Sequence, residues 1–153
     1  MDKQLKNIEI GIGIGSIRFG MKRDEVKAIL GEPDEIEVFE EEDPELDNTI
    51  VWHFDEVEMS LSFGDDDMLL AIAISNEDVM LAGKKLMGLT INEITEFVKE
   101  FDLGEMEIEE QPEEDGVKST LVSLWESAMN LWFEDDELTE IQWGPLWDEE
   151  TLN

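Results

Sequence analysis

Hydrophobic and polar residues alternate with a period of two in several segments of this chain, at residues 35–38, 51–54 and 59–63. Successive side chains of a strand point to opposite faces of a sheet, so this alternation predicts strands with one buried face and one exposed face. Residues 68–74 predict a further strand. Residues 64–67, Gly-Asp-Asp-Asp, are typical of a turn and join the last two strands as a hairpin.

A helix precedes these strands. Val26, Ile29 and Leu30 recur at the spacing that places side chains on one helix face. Gly31 follows this run and Pro33 comes two residues later, which is the pattern of a helix end. The first half of the chain therefore predicts one helix followed by four strands.

A second helix begins at a capping box, Thr90-Ile91-Asn92-Glu93. In such a box the Thr oxygen and the Glu carboxylate each satisfy a free backbone N–H group at the start of the helix. The corresponding position of the first helix holds Lys22, which has no oxygen to accept a hydrogen bond. We expect the first helix to begin less firmly than the second.

The chain is similar to itself at a distance of about 70 residues. Residues 59–68 match residues 129–138 when the chain is shifted by 70, with Met, Leu, Phe and two Asp residues in common. Over the two helices, the matching shift is 68 residues rather than 70. The second copy therefore has two more residues than the first in the turn after its helix. The sequence therefore predicts an α+β fold made by tandem duplication of a helix plus a four-stranded antiparallel unit. One face of each sheet is expected to lie against its helix.

The length of 153 residues fits one domain. Hydrophobic residues make up 41% of the chain and include five Trp and seven Phe, which is enough to form a core. We predict a single domain over residues 1–153 built of two repeats, residues 10–76 and 77–147, followed by an acidic tail at residues 148–153.

Residues 17–33 contain a motif in which an apolar residue, Gly and an apolar residue precede a cap, Glu-Val, and a helix closing on Leu-Gly-x-Pro. The matching residues are Gly20, Met21, Glu25, Val26, Leu30, Gly31 and Pro33. The segment resembles the helix entry of the SmpA/OmlA outer-membrane assembly lipoproteins and of the beta-lactamase inhibitor protein repeats. This resemblance implies a long curved antiparallel sheet made from both halves, with the helices packed on its outer side and a concave face that docks on a target protein. Several small bacterial immunity proteins are similar in plan.

The charge of the chain excludes several classes of partner. Ten Lys and Arg residues stand against 42 Asp and Glu residues, which gives a net charge of −32. Nucleic acids and anionic membranes are therefore expected to be repelled. The chain has no Cys, no apolar run long enough to span a membrane and no signal-peptide pattern at its start, so we predict a cytoplasmic protein.

Motifs for catalysis or cofactor binding do not emerge. The Ile-Gly alternation at residues 10–15 fits neither a phosphate loop nor a dinucleotide fingerprint, and favours a strand pressed closely against another element on its glycine face. The acidic turns at residues 64–67 and 134–137 do not match a calcium-binding loop. His53 has no second His and no Ser in a sharp turn beside it, which favours a surface His. We predict no enzyme activity, no metal and no cofactor.

The acidic excess exceeds what solubility requires, and a basic protein partner explains it. Binding affinity is expected from exposed indoles, with nearby carboxylates as a charged rim. The candidate partner-binding residues are Trp125, Trp132, Trp143, Trp147, Asp135, Asp136 and Glu137. The favoured function is an immunity protein that neutralises a basic bacterial toxin, such as a nuclease, by surface occlusion. The alternatives are an intracellular scaffold or adaptor that shares the repeat, and an acidic nucleic-acid mimic.

Overall fold

The computed structural model describes residues 7–39, 49–64 and 67–145, and strands dominate it. About half of the structure is strand, 49%, and 19% is helical. The elements in chain order are β1 (Asn7–Glu9), β2 (Gly13–Ile14), β3 (Ile17–Arg18), α1 (Arg23–Leu30), β4 (Glu35–Phe39), β5 (Thr49–Phe54), β6 (Met59–Phe63), β7 (Leu69–Ile74), β8 (Met80–Leu81), β9 (Lys84–Lys85), α2 (Ile91–Glu100), β10 (Met106–Glu110), β11 (Ser119–Leu124), β12 (Met129–Glu134) and β13 (Glu137–Trp143).

Eight strands form the large sheet, in the order β10-β11-β12-β13-β7-β6-β5-β4. All neighbouring pairs in this sheet are antiparallel. Strands β13 and β7 meet at its centre, where Ile141 lies opposite Ile74 and Trp143 lies opposite Ile72. Strands β4 and β10 form its two edges.

Five short strands form a second, small sheet in the order β3-β2-β1-β8-β9. Its central pair, β1 and β8, is parallel, with Ile8 opposite Leu81. The small sheet therefore joins the beginning of the chain to the segment between the two halves of the large sheet.

The predicted α+β fold, a tandem duplication of a helix plus a four-stranded antiparallel unit, is wrong. The described chain is mostly β, with two sheets and only two short helices. The small sheet was not predicted because strands of two or three residues are too short to show a period of two, and because β1 finds its partner more than seventy residues away. The repeat boundaries at residues 10–76 and 77–147 stay a prediction, and the acidic tail at residues 148–153 lies outside the described residues.

The hydrophobic core lies between one face of the large sheet and the remaining elements. Strand β6 shows the pattern: Met59, Leu61 and Phe63 are buried, and Ser60 and Ser62 alternate with them on the other face. Neighbouring strands continue the buried row in register, through Trp52, Leu61, Ile72, Trp143, Met129 and Leu124. The helices add Val26, Ile94, Phe97 and Val98 to the same cluster, so the core is continuous from sheet to helix.

The two helices begin differently, as the sequence predicts. At α2 the Glu93 backbone N–H donates to the Thr90 hydroxyl at 3.2 Å, and the Thr90 backbone N–H donates to the Glu93 carboxylate at 3.1 Å. The predicted capping box is therefore confirmed. At α1 the Lys22 backbone N–H donates to the Glu25 carboxylate at 3.2 Å, but an ammonium group cannot accept the reciprocal bond. Only half of the box is present there.

The Ile-Gly segment packs closely at one of its glycines. Gly13 has a φ of 150°, and a Cβ atom there would lie 2.0 Å from the backbone oxygen of Ile17. This agrees with the predicted close approach on the glycine face, although the segment forms a tight series of short strands and turns rather than one strand. Neither helix in the described part of the chain is long and apolar enough to cross a membrane.

Candidate functional site on the open face of the large sheet

The face of the large sheet that points away from the core is called here the open face. One row of residues on it crosses all eight strands in register: Glu35, His53, Ser60, Ala73, Gln142, Asn130, Ser123 and Glu107. Most of the inner members of this row are half-buried, whereas Glu35 and Glu107 at the ends are exposed. Small side chains therefore form the middle of this row, and long carboxylates form its ends.

The charges of the molecule are segregated with respect to this sheet. The eight strands contain several Glu residues and neither Lys nor Arg. The basic residues of the described chain lie on the helices, on the small sheet and in connections: Arg18, Lys22, Arg23, Lys27, Lys84, Lys85, Lys99 and Lys118. Glu37 and Glu109 extend the acidic margins of the open face on β4 and β10, and Glu140 is half-buried near its centre.

One margin of the open face holds an imidazole between hydrogen-bonding groups. His53 Nε2 lies 2.5 Å from Glu37 Oε1, and His53 Nδ1 lies 2.7 Å from Ser60 Oγ. Glu35 is directly opposite His53 in the strand register. A cavity of about 250 Å³ adjoins this group and is lined by His53, Ser60, Ala73, Ser75 and Glu140, among others.

The sequence prediction of an isolated surface His missed this arrangement. The His53 side chain is 24% exposed and that of Glu37 is 45% exposed. The available signal was the period of two, which places Glu35, Glu37 and His53 at odd positions of their strands and hence on one face once β4 and β5 pair. What the sequence does not give is the register, because the connection at residues 40–48 is too long for a tight-turn type to fix the pairing of β4 with β5.

The other margin of the open face holds an indole in place of the imidazole. Trp125 lies in a single turn of 3₁₀ helix, Trp125–Ser127, that links β11 to β12. Its side chain is strongly exposed, at 73%, and its Nε1–H donates to Glu107 Oε2 at 2.5 Å. This residue is the predicted partner-binding Trp that the structure leaves most accessible.

Trp132 lies on the open face itself, opposite Leu121 and Glu140 in register. The residue is half-buried, and its Nε1 atom is buried with no hydrogen-bond partner among the described residues. It borders two adjoining cavities, of about 420 Å³ and 340 Å³, whose other lining residues include Gln111, Pro112, Ser119, Glu134 and Thr139.

Trp143 lies apart from Trp125 and Trp132. Trp143 is 2% exposed in the core, edge-to-face with Phe19 at 6.4 Å between ring centroids, so it offers no surface to a partner. Trp147 lies outside the described residues. Of the three predicted indoles that the structure describes, Trp143 is therefore separated from the surface that carries Trp125 and Trp132.

The predicted acidic rim forms the turn between β12 and β13. Asp135, Asp136 and Glu137 are exposed there, and both Asp residues have a positive φ. Asp135 accepts a hydrogen bond from the Lys118 backbone N–H, and Asp136 accepts one from the N–H of Ile91 at the start of α2. The turn is close to Trp132 in the chain, but about 17 Å of strand separates it from the end of β12 that adjoins Trp125.

Comparison with known proteins leaves the family open. No protein-family model matches the chain, and no curated protein matches it. Among solved structures, it is similar to an extracellular protein containing an SCP domain from Bacillus anthracis str. Ames, with a TM-score of 0.48 and 17% sequence identity. The match covers 87% of this chain and 45% of that chain, so this chain spans less than half of that protein. A likeness at this level does not extend to function, and the resemblance to the assembly lipoproteins and inhibitor repeats stays a prediction.

Proposed function

We propose that this chain is an acidic protein-binding inhibitor whose open face covers a basic partner, as an immunity protein would cover a bacterial toxin such as a nuclease. The observation that carries the proposal is the charge distribution of the large sheet. Its strands present Glu residues at both margins of the open face and contain no Lys or Arg to offset them. The proposed location is the cytoplasm, and the proposed mode of action is contact without catalysis.

The distribution of charge favours one direction of approach. The net charge is −32, and the Lys and Arg residues of the described chain lie mainly on the helices and the small sheet, on the core side of the large sheet. We therefore expect a basic protein to be attracted toward the open face, where no Lys or Arg of the sheet strands offsets the carboxylates. Electrostatic steering of this kind raises association rates by roughly 10-fold to 10³-fold and weakens as salt is added.

Affinity requires desolvated contacts in addition to charge, and the indoles of the second half supply candidates. Trp125 offers an exposed ring beside Glu107, and Trp132 borders cavities on the open face. Trp residues are enriched among the residues that dominate binding energy. Trp143 is excluded from this role because it is buried in the core.

A charge-reversal pair with a matched control tests the proposal. The variant Glu107→Lys/Glu109→Lys reverses one margin of the open face, whereas Glu96→Lys/Glu100→Lys makes the same change in net charge on the exposed side of α2. Binding to a panel of purified cationic nuclease domains of bacterial toxins is measured by calorimetry at low salt and at about 0.5 M NaCl. We expect the open-face variant to bind at least about tenfold more weakly and the α2 variant to change by less than about threefold.

Other outcomes discriminate among the alternatives. Equal losses in the two variants would show that total charge matters and the open face does not. Displacement of the chain from its partner by duplex DNA would favour the nucleic-acid mimic. Binding that is insensitive to both salt and charge reversal would favour the scaffold or adaptor. Absence of binding across the panel at low salt would contradict the inhibitor proposal.

A further inference from the structure

We propose that Glu35, Glu37 and His53 form a binding site for a divalent transition-metal ion of the Zn²⁺ class. One nitrogen or oxygen atom from each of these side chains lies within 4.8 Å of the others. Two paired strands hold them: His53 on β5 is directly opposite Glu35 on β4, and Glu37 follows two residues later on the same face. The site is independent of whether a protein docks on the open face.

The combination of donors selects the class of metal. An imidazole nitrogen with two carboxylate oxygens suits Zn²⁺, Co²⁺, Fe²⁺ and Mn²⁺, whereas sites for Ca²⁺ and Mg²⁺ use oxygen donors. Neighbouring donors in a tetrahedral Zn²⁺ site lie about 3.4 Å apart, as follows from bonds of about 2.0–2.1 Å. Small rotations of the two exposed Glu side chains bring the present spacing to that value.

The second ring nitrogen of His53 is already held as it is in metal-ligating histidines. Ser60 Oγ lies 2.7 Å from Nδ1, where a hydroxyl oxygen can accept the Nδ1–H bond. A hydrogen bond on one ring nitrogen fixes the tautomer and leaves the lone pair of the other nitrogen for a metal. When Nδ1–H is donated to Ser60, that lone pair is on Nε2, which lies beside the Glu37 carboxylate.

The contact between Nε2 and Glu37 requires a proton or a metal cation between the two atoms. A ring lone pair and a carboxylate oxygen 2.5 Å apart repel each other unless a proton or a cation lies between them. The proton is the occupant when no metal is present, and a divalent ion that replaces it also reaches Glu35. Neither Lys nor Arg occurs in the strands of this sheet to compete for the two carboxylates.

The surroundings leave room for a fourth ligand. Glu35 and Glu37 are exposed on β4, an edge strand of the sheet, so water can reach the remaining coordination position from solvent. The opposite margin of the open face lacks this arrangement, since Ser123 stands opposite Glu107 and the nearby ring is the indole of Trp125. That margin is therefore an internal control with the same carboxylates and no imidazole.

The composition of the chain makes the test direct. It contains one His and no Cys, so in untagged protein an imidazole signal belongs to His53 and no thiolate competes for the metal. Zn²⁺ is titrated by calorimetry in excess Mg²⁺, which occupies the other carboxylates. The ring nitrogens of His53 are followed by NMR during the same titration.

We expect one Zn²⁺ site that shifts the Nε2 resonance of His53 at one equivalent. The variant His53→Gln should weaken this site at least about thirtyfold, and Ser60→Ala should weaken it about tenfold by releasing the ring. The matched controls Glu107→Gln and Glu109→Gln on the opposite margin should leave it unchanged. With Co²⁺ in place of Zn²⁺, visible absorption typical of four-coordinate cobalt should appear and be absent in His53→Gln.

Two results would overturn the metal site. One is an Nε2 resonance that does not move as Zn²⁺ binds to the native protein, a measurement that needs no variant. The other is equal Zn²⁺ affinity and stoichiometry in folded His53→Gln, with folding checked by circular dichroism. If that variant does not fold, Glu35→Gln on the exposed edge strand replaces it, and unchanged affinity there has the same meaning.

Discussion

The two halves of the large sheet, β4 to β7 and β10 to β13, bury similar side chains and expose different ones. The buried residues of β6 are Met59, Leu61 and Phe63, and those of β12 are Met129, Leu131 and Phe133. On the open face, in contrast, His53 and Ser60 of the first half stand where the second half has Ser123 and Asn130. Ser62 likewise stands where the second half has Trp132.

This contrast follows from the different constraints on the two faces. A buried face must match its neighbours at the packing density of a protein interior, so changes of even one methylene group are costly. A partly solvated face tolerates substitution at little cost to stability. On the open face, the first half carries an imidazole among carboxylates, and the second half carries indoles. One sheet thus offers two chemically distinct margins.

The strongest test of the shared core is a pair of truncations, Phe63→Ala and Phe133→Ala. Both side chains are fully buried on the core face, and each substitution removes a ring and leaves a cavity. We expect each to lower the free energy of unfolding by about 3–5 kcal/mol, measured by chemical denaturation. A loss below about 1 kcal/mol in one half alone would show that the two halves are not packed alike.

A smaller effect is expected on the open face, where the halves differ. Trp132→Ser introduces the residue that the first half has at Ser62, and removes a half-buried ring. We expect it to cost about 1–2 kcal/mol of stability because only part of the ring surface leaves water on folding. The control Trp132→Phe keeps an aromatic ring and removes the unpartnered N–H, so it should be within about 0.5 kcal/mol of the native protein. If Trp132→Ser instead shows no cooperative thermal unfolding transition, this ring belongs to the core.

The smallest effects concern the first residues of the two helices. Thr90→Ala removes the oxygen of the complete capping box and should cost about 1 kcal/mol. Lys22→Thr supplies the missing oxygen beside Glu25 and should stabilise α1 by up to about 1 kcal/mol, whereas Lys22→Ala should change little. Urea unfolding measures all three variants. Equal stability of Lys22→Thr and Lys22→Ala would contradict the half-box interpretation.

Local patterns in the sequence predicted the long strands and both helices because each of these signals lies within a few residues. The alternation in Met59–Phe63 and the capping box at Thr90 are examples. The face of Trp143 was not predictable in this way, because the register of its strand shifts at an irregularity between Trp132 and Phe133. A shift of one residue moves every later side chain to the opposite face.

The candidate site was predicted less well than the long strands. Trp125 is exposed, as a partner-binding Trp must be, and its role in binding stays a prediction. The pairing of His53 with Glu37 was missed because it depends on the register between β4 and β5. Residue spacing along one strand reveals a shared face, but only strand pairing reveals which two side chains touch.

The parallel pairing of β1 with β8 has a consequence for how the molecule is made. A chain leaves the ribosome from its N-terminus, so Asn7–Glu9 emerges long before Met80–Leu81, its partner strand. The bridge partner of Gly11 is synthesised later still, because it is Pro145, near the end of the described chain. Strand β1 can therefore pair with β2 early, but its parallel partner β8 is made only after the first half of the large sheet, and the bridge from Gly11 forms only after the second half.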